Sequence, residues 1–245
     1  MAALDRMAAR ASAASHVAAP RDAPAPLFIA DGTLEALKWL GLVLMTADHV
    51  NKFLFNERLP FVFDAARLVM PLFGFVLAYN MARPNARASG AYTRTARRLA
   101  VFGLTATLPF VVIVGWWPLN VMFMLLLAVA IIWLLDGGSA LQRIAAAALF
   151  IGAGAFVEFW WFGVASCVAA WAYCRRPTAG RALLWVLATA ALEVVNGNLW
   201  ALAAVPVVFA AAHVDLQMPR VRGFFYLYYP GHLCALLALR AAMPP

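Results

Sequence analysis

The feature that most constrains this chain is a series of apolar runs, most of them about 20 residues long, separated by short polar loops. An α-helix of that length crosses a hydrocarbon core of about 30 Å. Because backbone facing lipid must satisfy its own hydrogen bonds, the runs predict an all-α fold, a polytopic integral membrane helical bundle. About nine transmembrane helices are expected, at approximately 34–55, 63–82, 95–114, 119–135, 141–159, 162–174, 181–196, 199–213 and 224–242.

The composition leaves no room for a separate soluble domain. Hydrophobic residues make up 65% of the 245 residues and charged residues only 12%, whereas a soluble domain is about a quarter charged. Residues 31–245 are therefore predicted to form one membrane-embedded domain, with any active site built from helix faces and short loops. Residues 1–30, rich in Ala, Pro and Arg, are predicted to be a disordered cytoplasmic tail. The segments 162–174 and 199–213 are short, so complete and partial spans both remain open.

The net charge of +8 is explained by topology. Arginines concentrate in alternate loops, as the positive-inside rule requires of cytoplasmic loops. The alternation continues through all the segments, and it predicts a cytoplasmic amino terminus and an external carboxyl terminus. No nucleic-acid partner is therefore expected. The arginines of the predicted cytoplasmic loops are Arg83, Arg87, Arg94, Arg97, Arg98, Arg143, Arg175, Arg176, Arg181, Arg220 and Arg222.

The first apolar segment is unusually polar for a membrane span. On a helical projection Lys38, His49 and Asn56 share one face, and Lys38 and His49 lie about 16 Å apart along the axis. Ionisable side chains inside a span are costly and usually functional. Asp48 points to another side, and two roles stay open for it. It can partner a neighbouring helix, or form an i,i+4 pair with Lys52, which we favour.

Further polar residues converge at the depth of His49 under this topology. They come from five other segments: Arg67, Asn120, Glu158, Asn196, Tyr228 and His232. The three cysteines show no metal-ligand spacing, so we interpret them as packing residues and expect no metal. The polar convergence indicates a site within the bilayer, facing positively charged loops on the opposite side.

Several blocks of sequence resemble one known family. The stretch 37–52 contains Lys38, Asp48 and His49 in an arrangement that resembles the opening signature of the TraX family of conjugal-transfer proteins. The resemblance extends over almost everything after the tail and is closest to the TrbP-like members. The further blocks are 66–73, 117–123, 195–200 and 225–233.

The resemblance implies an activity and a location. The family is associated with amino-terminal acetylation of conjugative pilin in the bacterial inner membrane, so it implies acetyl-CoA as donor, and pilin and membrane lipid as partners. It is also similar to membrane acyltransferases whose first helix carries a basic residue, ten residues and a histidine, as Lys38 and His49 do. That group has an Arg-x-x-Arg element, matched by Arg94 and Arg97. By resemblance, Lys38, Arg94, Arg97 and Arg98 would bind coenzyme A.

These considerations predict a mechanism. His49 would accept the proton of the attacking amine, because histidine titrates near neutral pH. Asp48 and Arg67 join it as candidate catalytic residues. The oxyanion would be stabilised by Arg67, by Asn120 or by a tyrosine of the ninth segment. The candidates for substrate or oxyanion binding are Asn120, Glu158, Asn196, Tyr228 and His232.

Other functions remain open. One is a non-enzymatic membrane partner in pilin maturation or assembly, which would bind pilin without consuming acetyl-CoA. Another is an O-acyltransferase acting on a glycan or lipid. A small transporter with a proton relay ranks third, because the halves of the chain show no convincing repeat. The acyl chain length, the oligomeric state and the acceptor are left open by the sequence.

Overall fold

The computed structural model describes residues 27–243, so most of the predicted amino-terminal tail lies outside the described residues. Helices dominate the described part, and each of the predicted apolar segments is helical. In chain order the helices are α1 (Asp31–Leu54), α2 (Pro60–Ala66), α3 (Val69–Ala82), α4 (Ala91–Ile113), α5 (Val121–Gly137), α6 (Ala140–Ala153), α7 (Trp160–Arg175), α8 (Ala179–Ala190), α9 (Glu193–Asn196), α10 (Ala204–Ala211) and α11 (Phe224–Ala242). Two short 3-10 helices, Gly154–Phe156 and Trp200–Ala203, precede α7 and α10.

Three helical stretches of the described chain are long and apolar enough to cross a membrane by length and composition. They are Pro60–Ala82, Ala91–Ile113 and Ala179–Asn196. Shorter apolar helices occupy Val121–Gly137, Ala140–Phe156 and Trp200–Ala211. The all-helical fold is thus confirmed, while the count of about nine spans stays a prediction.

The outward faces of these helices are apolar. On α4, Leu104, Leu108 and Val112 are 66%, 75% and 63% exposed and recur every four residues, so they form one stripe. Leucines and isoleucines are similarly exposed on α6 and α8. Continuous exposed apolar surface of this kind suits a hydrocarbon environment.

Local sequence sets several helix ends. Ser139 and Gln142 form a capping box at the start of α6, and Thr178 accepts a hydrogen bond from the backbone of Arg181 at the start of α8. Gly138 ends α5 with a φ of 79°, a conformation that costs glycine little. The predicted segment 63–82 is interrupted between α2 and α3. Pro71 explains the break, because its ring clashes with the carbonyl four residues earlier, that of Arg67.

The core of the bundle forms around α3, which packs closely against α7 and α1. The α3–α7 approach depends on a glycine, since a Cβ at Gly74 would lie only 2.7 Å from the Cys167 Sγ atom. On the other side α4 packs between α5 and α11, and α11 also contacts α1. Lys38 meets Phe225 near the start of both helices, and His49 meets His232 further along, so α1 and α11 run in the same direction.

The loop between α10 and α11 crosses the start of α1. The Thr33 hydroxyl donates to the carbonyl of Val214 (2.7 Å) and accepts from the amide of Leu216 (3.0 Å). The Glu35 carboxylate accepts from the amide of Val221 (3.2 Å). Buried polar groups of α1 thereby fix a loop that precedes the last helix.

Two details of the sequence prediction for α1 were wrong. Asn56, placed on the face of Lys38 and His49, lies beyond the end of α1 with a φ of 52° and so leaves that face. The favoured pairing of Asp48 with Lys52 is replaced by a pairing of Asp48 with Arg67, described below. Lys52 instead lies 4.0 Å from Glu57.

Candidate functional site

One elongated cavity of about 530 Å³ runs through the bundle between α1, α3, α4 and α11. Along α4 its lining extends from Ala91 to Phe110, about 28 Å at the helical rise of 1.5 Å per residue. We name its two ends after the polar residues that line them. The arginine end contains Arg83, Arg94, Arg98, Arg220 and Arg222, and the histidine end contains Asp48, His49, Lys52, Arg67 and Glu158.

At the histidine end, two histidines form a hydrogen-bonded pair. Nδ1 of His49 lies 2.7 Å from Nε2 of His232, and the rings stack with their centroids 5.0 Å apart. Nδ1 of His232 lies 3.1 Å from the carbonyl oxygen of Tyr228. Sequence reasoning grouped both histidines at one depth but did not join them.

These contacts determine the tautomers of the pair. A carbonyl oxygen can only accept, so Nδ1 of His232 carries the proton, and in the neutral ring Nε2 is then an acceptor. Nδ1 of His49 must therefore donate, which leaves Nε2 of His49 with a free lone pair. That nitrogen makes no hydrogen bond within the described residues, and His49 lines the cavity. The arrangement presents an oriented proton acceptor to the cavity.

Asp48 and Arg67 form an ion pair beside His49. Nη2 of Arg67 donates to both carboxylate oxygens of Asp48, each at 3.0 Å, and Nε donates to the carbonyl of Phe63 (3.0 Å). The guanidinium also lies 4.0 Å from the centroid of the Phe63 ring. Asp48 is thus the partner of a neighbouring helix, the first of the two roles left open for it. Both side chains are largely buried and line the cavity.

Glu158 is the remaining acidic residue of the histidine end. It precedes α7 and lines the cavity, and its Oε2 atom is shielded from solvent without a hydrogen-bond partner among residues 27–243. Lys52 and Arg67 line the same end of the cavity. The site therefore contains one carboxylate whose hydrogen-bonding capacity is not filled by the protein.

The arginine end is assembled from three parts of the chain. Arg94 and Arg98 lie one turn apart on α4, Arg83 follows α3, and Arg220 and Arg222 come from the loop that crosses α1. Lys38 lines the cavity next to them, paired with Glu35 and 4.6 Å from the centroid of the Phe225 ring. This concentration of guanidinium groups suits phosphate binding.

The other predicted site residues do not line the cavity. Arg97 is exposed on a different face of α4. Asn120 caps α5 by accepting from the amide of Met122 and donates to the carbonyl of Gly103 on α4, which gives its amide a structural role. The Tyr228 hydroxyl lies 2.7 Å from that of Thr46. Asn196 is buried, and its Oδ1 atom has no partner in the described part of the chain.

Sequence reasoning missed the contribution of the α10–α11 loop. Arg220 and Arg222 were interpreted only as markers of topology, although they line the arginine end of the cavity. A signal was present, because they directly precede the aromatic block 225–233 that contains His232. Arg98 is also favoured over Arg97, because Arg98 lines the cavity together with Arg94 and Arg97 does not.

Comparison with known proteins identifies a family for this chain. The family model described as TraX protein matches residues 33–240, which include every residue that lines the cavity. No curated protein and no solved structure matches the chain. With a match over most of its length, this chain belongs to the TraX family and is a conjugation-related membrane protein.

Proposed function

We propose that this protein is a membrane-embedded acetyltransferase of conjugation that transfers acetyl from acetyl-CoA to the amino terminus of pilin. The observation that carries the proposal is the single cavity that joins a cluster of arginines to an oriented imidazole nitrogen. A purely structural partner of pilin has no use for either end of such a cavity. The proposed location is the bacterial inner membrane, with the amino terminus in the cytoplasm and about nine spans.

In this topology the arginine end opens to the cytoplasm, where acetyl-CoA is found. Guanidinium groups form paired hydrogen bonds with phosphate oxygens, so Arg94, Arg98, Arg220 and Arg222 are the proposed anchors of the coenzyme A phosphates. The axial separation of Lys38 and His49, about 16 Å, is comparable with a pantetheine arm. The thioester would then lie at the histidine end.

The chemistry there is a direct acyl transfer. The amine nitrogen forms a bond to the thioester carbon, and the carbon–sulfur bond breaks after the tetrahedral intermediate has formed. Nε2 of His49 takes a proton from the attacking nitrogen and delivers it to the leaving thiolate, which becomes the thiol of coenzyme A. Arg67 lines the same end of the cavity and is the proposed stabiliser of the oxyanion, and Asp48 holds its guanidinium in position.

His232 is proposed as a positioning residue. Nε2 of His232 accepts a hydrogen bond from the protonated Nδ1 of His49. The other nitrogen of the neutral His49 ring, Nε2, therefore stays unprotonated. The role resembles that of the residue that orients a catalytic histidine in other acyl-transfer sites, performed here by a second imidazole.

The test is the intact mass of mature pilin from cells that carry the wild type, a deletion, His49→Ala or His213→Ala. His213 is an exposed histidine that does not line the cavity and serves as the matched control. The expected result is the loss of one acetyl group in the deletion and in His49→Ala, with the wild-type mass in His213→Ala. An identical mass in all four strains would remove pilin acetylation as the function and favour a non-enzymatic partner or another acceptor.

A further inference from the structure

We infer that Glu158 binds the ammonium group of the acceptor and removes its first proton, which makes the histidine end selective for amines over hydroxyl groups. The inference rests on the proposed acetyl transfer and adds to it the residue that recognises the ammonium form of the acceptor. It is carried by the placement, pairing and chemistry of Glu158.

The backbone holds Glu158 rigidly at the cavity. Its amide donates to the carbonyl of Leu119 (2.8 Å), and the amide of Leu119 donates to the carbonyl of Phe156 (2.8 Å), which makes a short parallel bridge between two loops. The next two residues, Phe159 and Trp160, have φ values of 60° and 49°. Such left-handed conformations are unfavourable for aromatic residues, so the surrounding structure maintains this turn at a cost.

The other charged groups of the histidine end have partners. Both carboxylate oxygens of Asp48 accept hydrogen bonds from Nη2 of Arg67. The Lys52 ammonium lies 4.0 Å from Glu57, and both of these side chains are about half exposed to solvent. Among the charged groups that line the histidine end, only Glu158 has a described atom, Oε2, that is both enclosed and unpartnered. An enclosed carboxylate oxygen requires a hydrogen-bond donor, and a cationic donor also compensates its charge.

The proton balance of the reaction gives this carboxylate a task. An ammonium acceptor and an acetyl thioester yield an amide, a thiol and one released proton, so nitrogen loses two protons in all. Nε2 of His49 accepts one during attack and passes it to the thiolate. The other must leave before attack, because a protonated amine has no lone pair, and Glu158 is the group placed to take it and later release it to solvent.

A hydroxyl acceptor has a different balance. Its single proton moves through His49 to the thiolate, and no proton is released overall. A hydroxyl group also brings no positive charge to offset an enclosed carboxylate. Glu158 therefore favours an amine acceptor and has no role with an alcohol. This difference favours N-acetylation over the O-acetylation that the sequence left open.

The experiment uses the purified full-length protein in detergent, acetyl-CoA, and a peptide carrying the amino terminus of mature pilin. Glu158→Gln is compared with Glu193→Gln, an exposed acidic residue that does not line the cavity. At pH 7 we expect Glu158→Gln to raise the KM for the peptide about tenfold or more, as expected for loss of a charge-assisted hydrogen bond. Its KM for acetyl-CoA should be unchanged. Its rate should recover above a pH of about 8, where a free α-amine is neutral.

The outcomes separate the inference from the proposed function. If Glu158→Gln keeps the peptide KM and pH profile of the wild type while His49→Ala is inactive, the inference fails and the acetyltransferase stands. If the wild type itself transfers no acetyl group, both fail.

A second measurement needs no mutant and covers the case in which Glu158→Gln does not fold. A peptide with a hydroxyl in place of its terminal amine is tested as a competitor of the wild type. We expect it to compete at least about tenfold less well than the amine peptide does. Equal competition overturns the inference.

Discussion

His49 and His232 are joined by a hydrogen bond of 2.7 Å, although 183 positions separate them in the chain. The bond connects α1 to α11, the first and last helices of the described bundle. Through it, the carbonyl of Tyr228 determines which nitrogen of His49 is free to accept a proton. The proton acceptor of the site therefore depends on two helices from opposite ends of the chain.

Replacing His232 should lower the rate without weakening donor binding. For His232→Phe we expect a fall in kcat of about 10²-fold or more, within the range typical of general acid–base catalysis, and an unchanged KM for acetyl-CoA. Initial rates of coenzyme A release would measure both.

The double variant His49→Ala/His232→Phe is the matching control. Residues that act as a unit are non-additive, so it should be no slower than His49→Ala alone. Independent, multiplying losses would show that His232 does not act through His49.

The arginine end of the cavity predicts that neighbouring arginines of α4 differ in their effect on the Kd of acetyl-CoA. Arg94→Ala and Arg98→Ala should each raise the Kd of acetyl-CoA about tenfold, equivalent to about 1.4 kcal/mol. Arg97→Ala, on another face of the same helix, should leave it almost unchanged. Titration calorimetry at two salt concentrations gives the comparison, and screening should reduce the contrast at the higher concentration. A larger effect at Arg97 would favour the Arg-x-x-Arg interpretation over the observed lining.

The pairing of Asp48 with Arg67 predicts a large loss of stability when one partner is removed. Asp48→Ala leaves a largely buried guanidinium without its carboxylate, a change that costs about 3 kcal/mol or more. Thermal unfolding in detergent should show a markedly lower Tm. Lys52→Ala, which removes a half-exposed partner, should change the Tm little. Similar Tm values for both variants would contradict the pairing.

The close approach of α3 and α7 predicts that Gly74→Ala destabilises the bundle by about 1–3 kcal/mol, the usual cost of overpacking. Adding Cys167→Ala removes the Sγ atom that the new Cβ would meet, so the double variant should regain part of the loss. Gly152→Ala on α6 is the control, because a Cβ there meets nothing within 4 Å. Tm values of the four proteins provide the test, and an unaltered Gly74→Ala protein would refute the packing argument.

Much of the fold could be predicted from sequence because the length of an apolar run reports directly on helix formation in lipid. The grouping of His49, Arg67 and Glu158 at one depth was also predicted, since ionisable residues in spans are rare and costly, and all three line the same end of the cavity. Helical projection gives the face of a residue but not its partner. Helical projection therefore paired Asp48 with Lys52 on the same helix and could not predict the contact between His49 and His232.

The remaining features depend on contacts between distant parts of the chain. Arg220 and Arg222 reach the cavity because Thr33 and Glu35 bind the loop that carries them, and no local pattern contains that information. Asn120 is of a residue type that is common in binding sites, yet its side-chain amide caps α5 and forms a hydrogen bond to α4. In both cases hydrogen bonding over long sequence separations decides the outcome.

The pairing of the first and last helices has a consequence for biosynthesis. A chain emerging from the ribosome has His49 in the membrane long before His232 has been translated. Until α11 inserts, nothing orients His49, and the loop with Arg220 and Arg222 is not yet held against α1. A chain truncated ahead of Phe224 should therefore insert most of its helices and still lack the pairing of His49 with His232, so that the proposed activity would depend on the synthesis of α11.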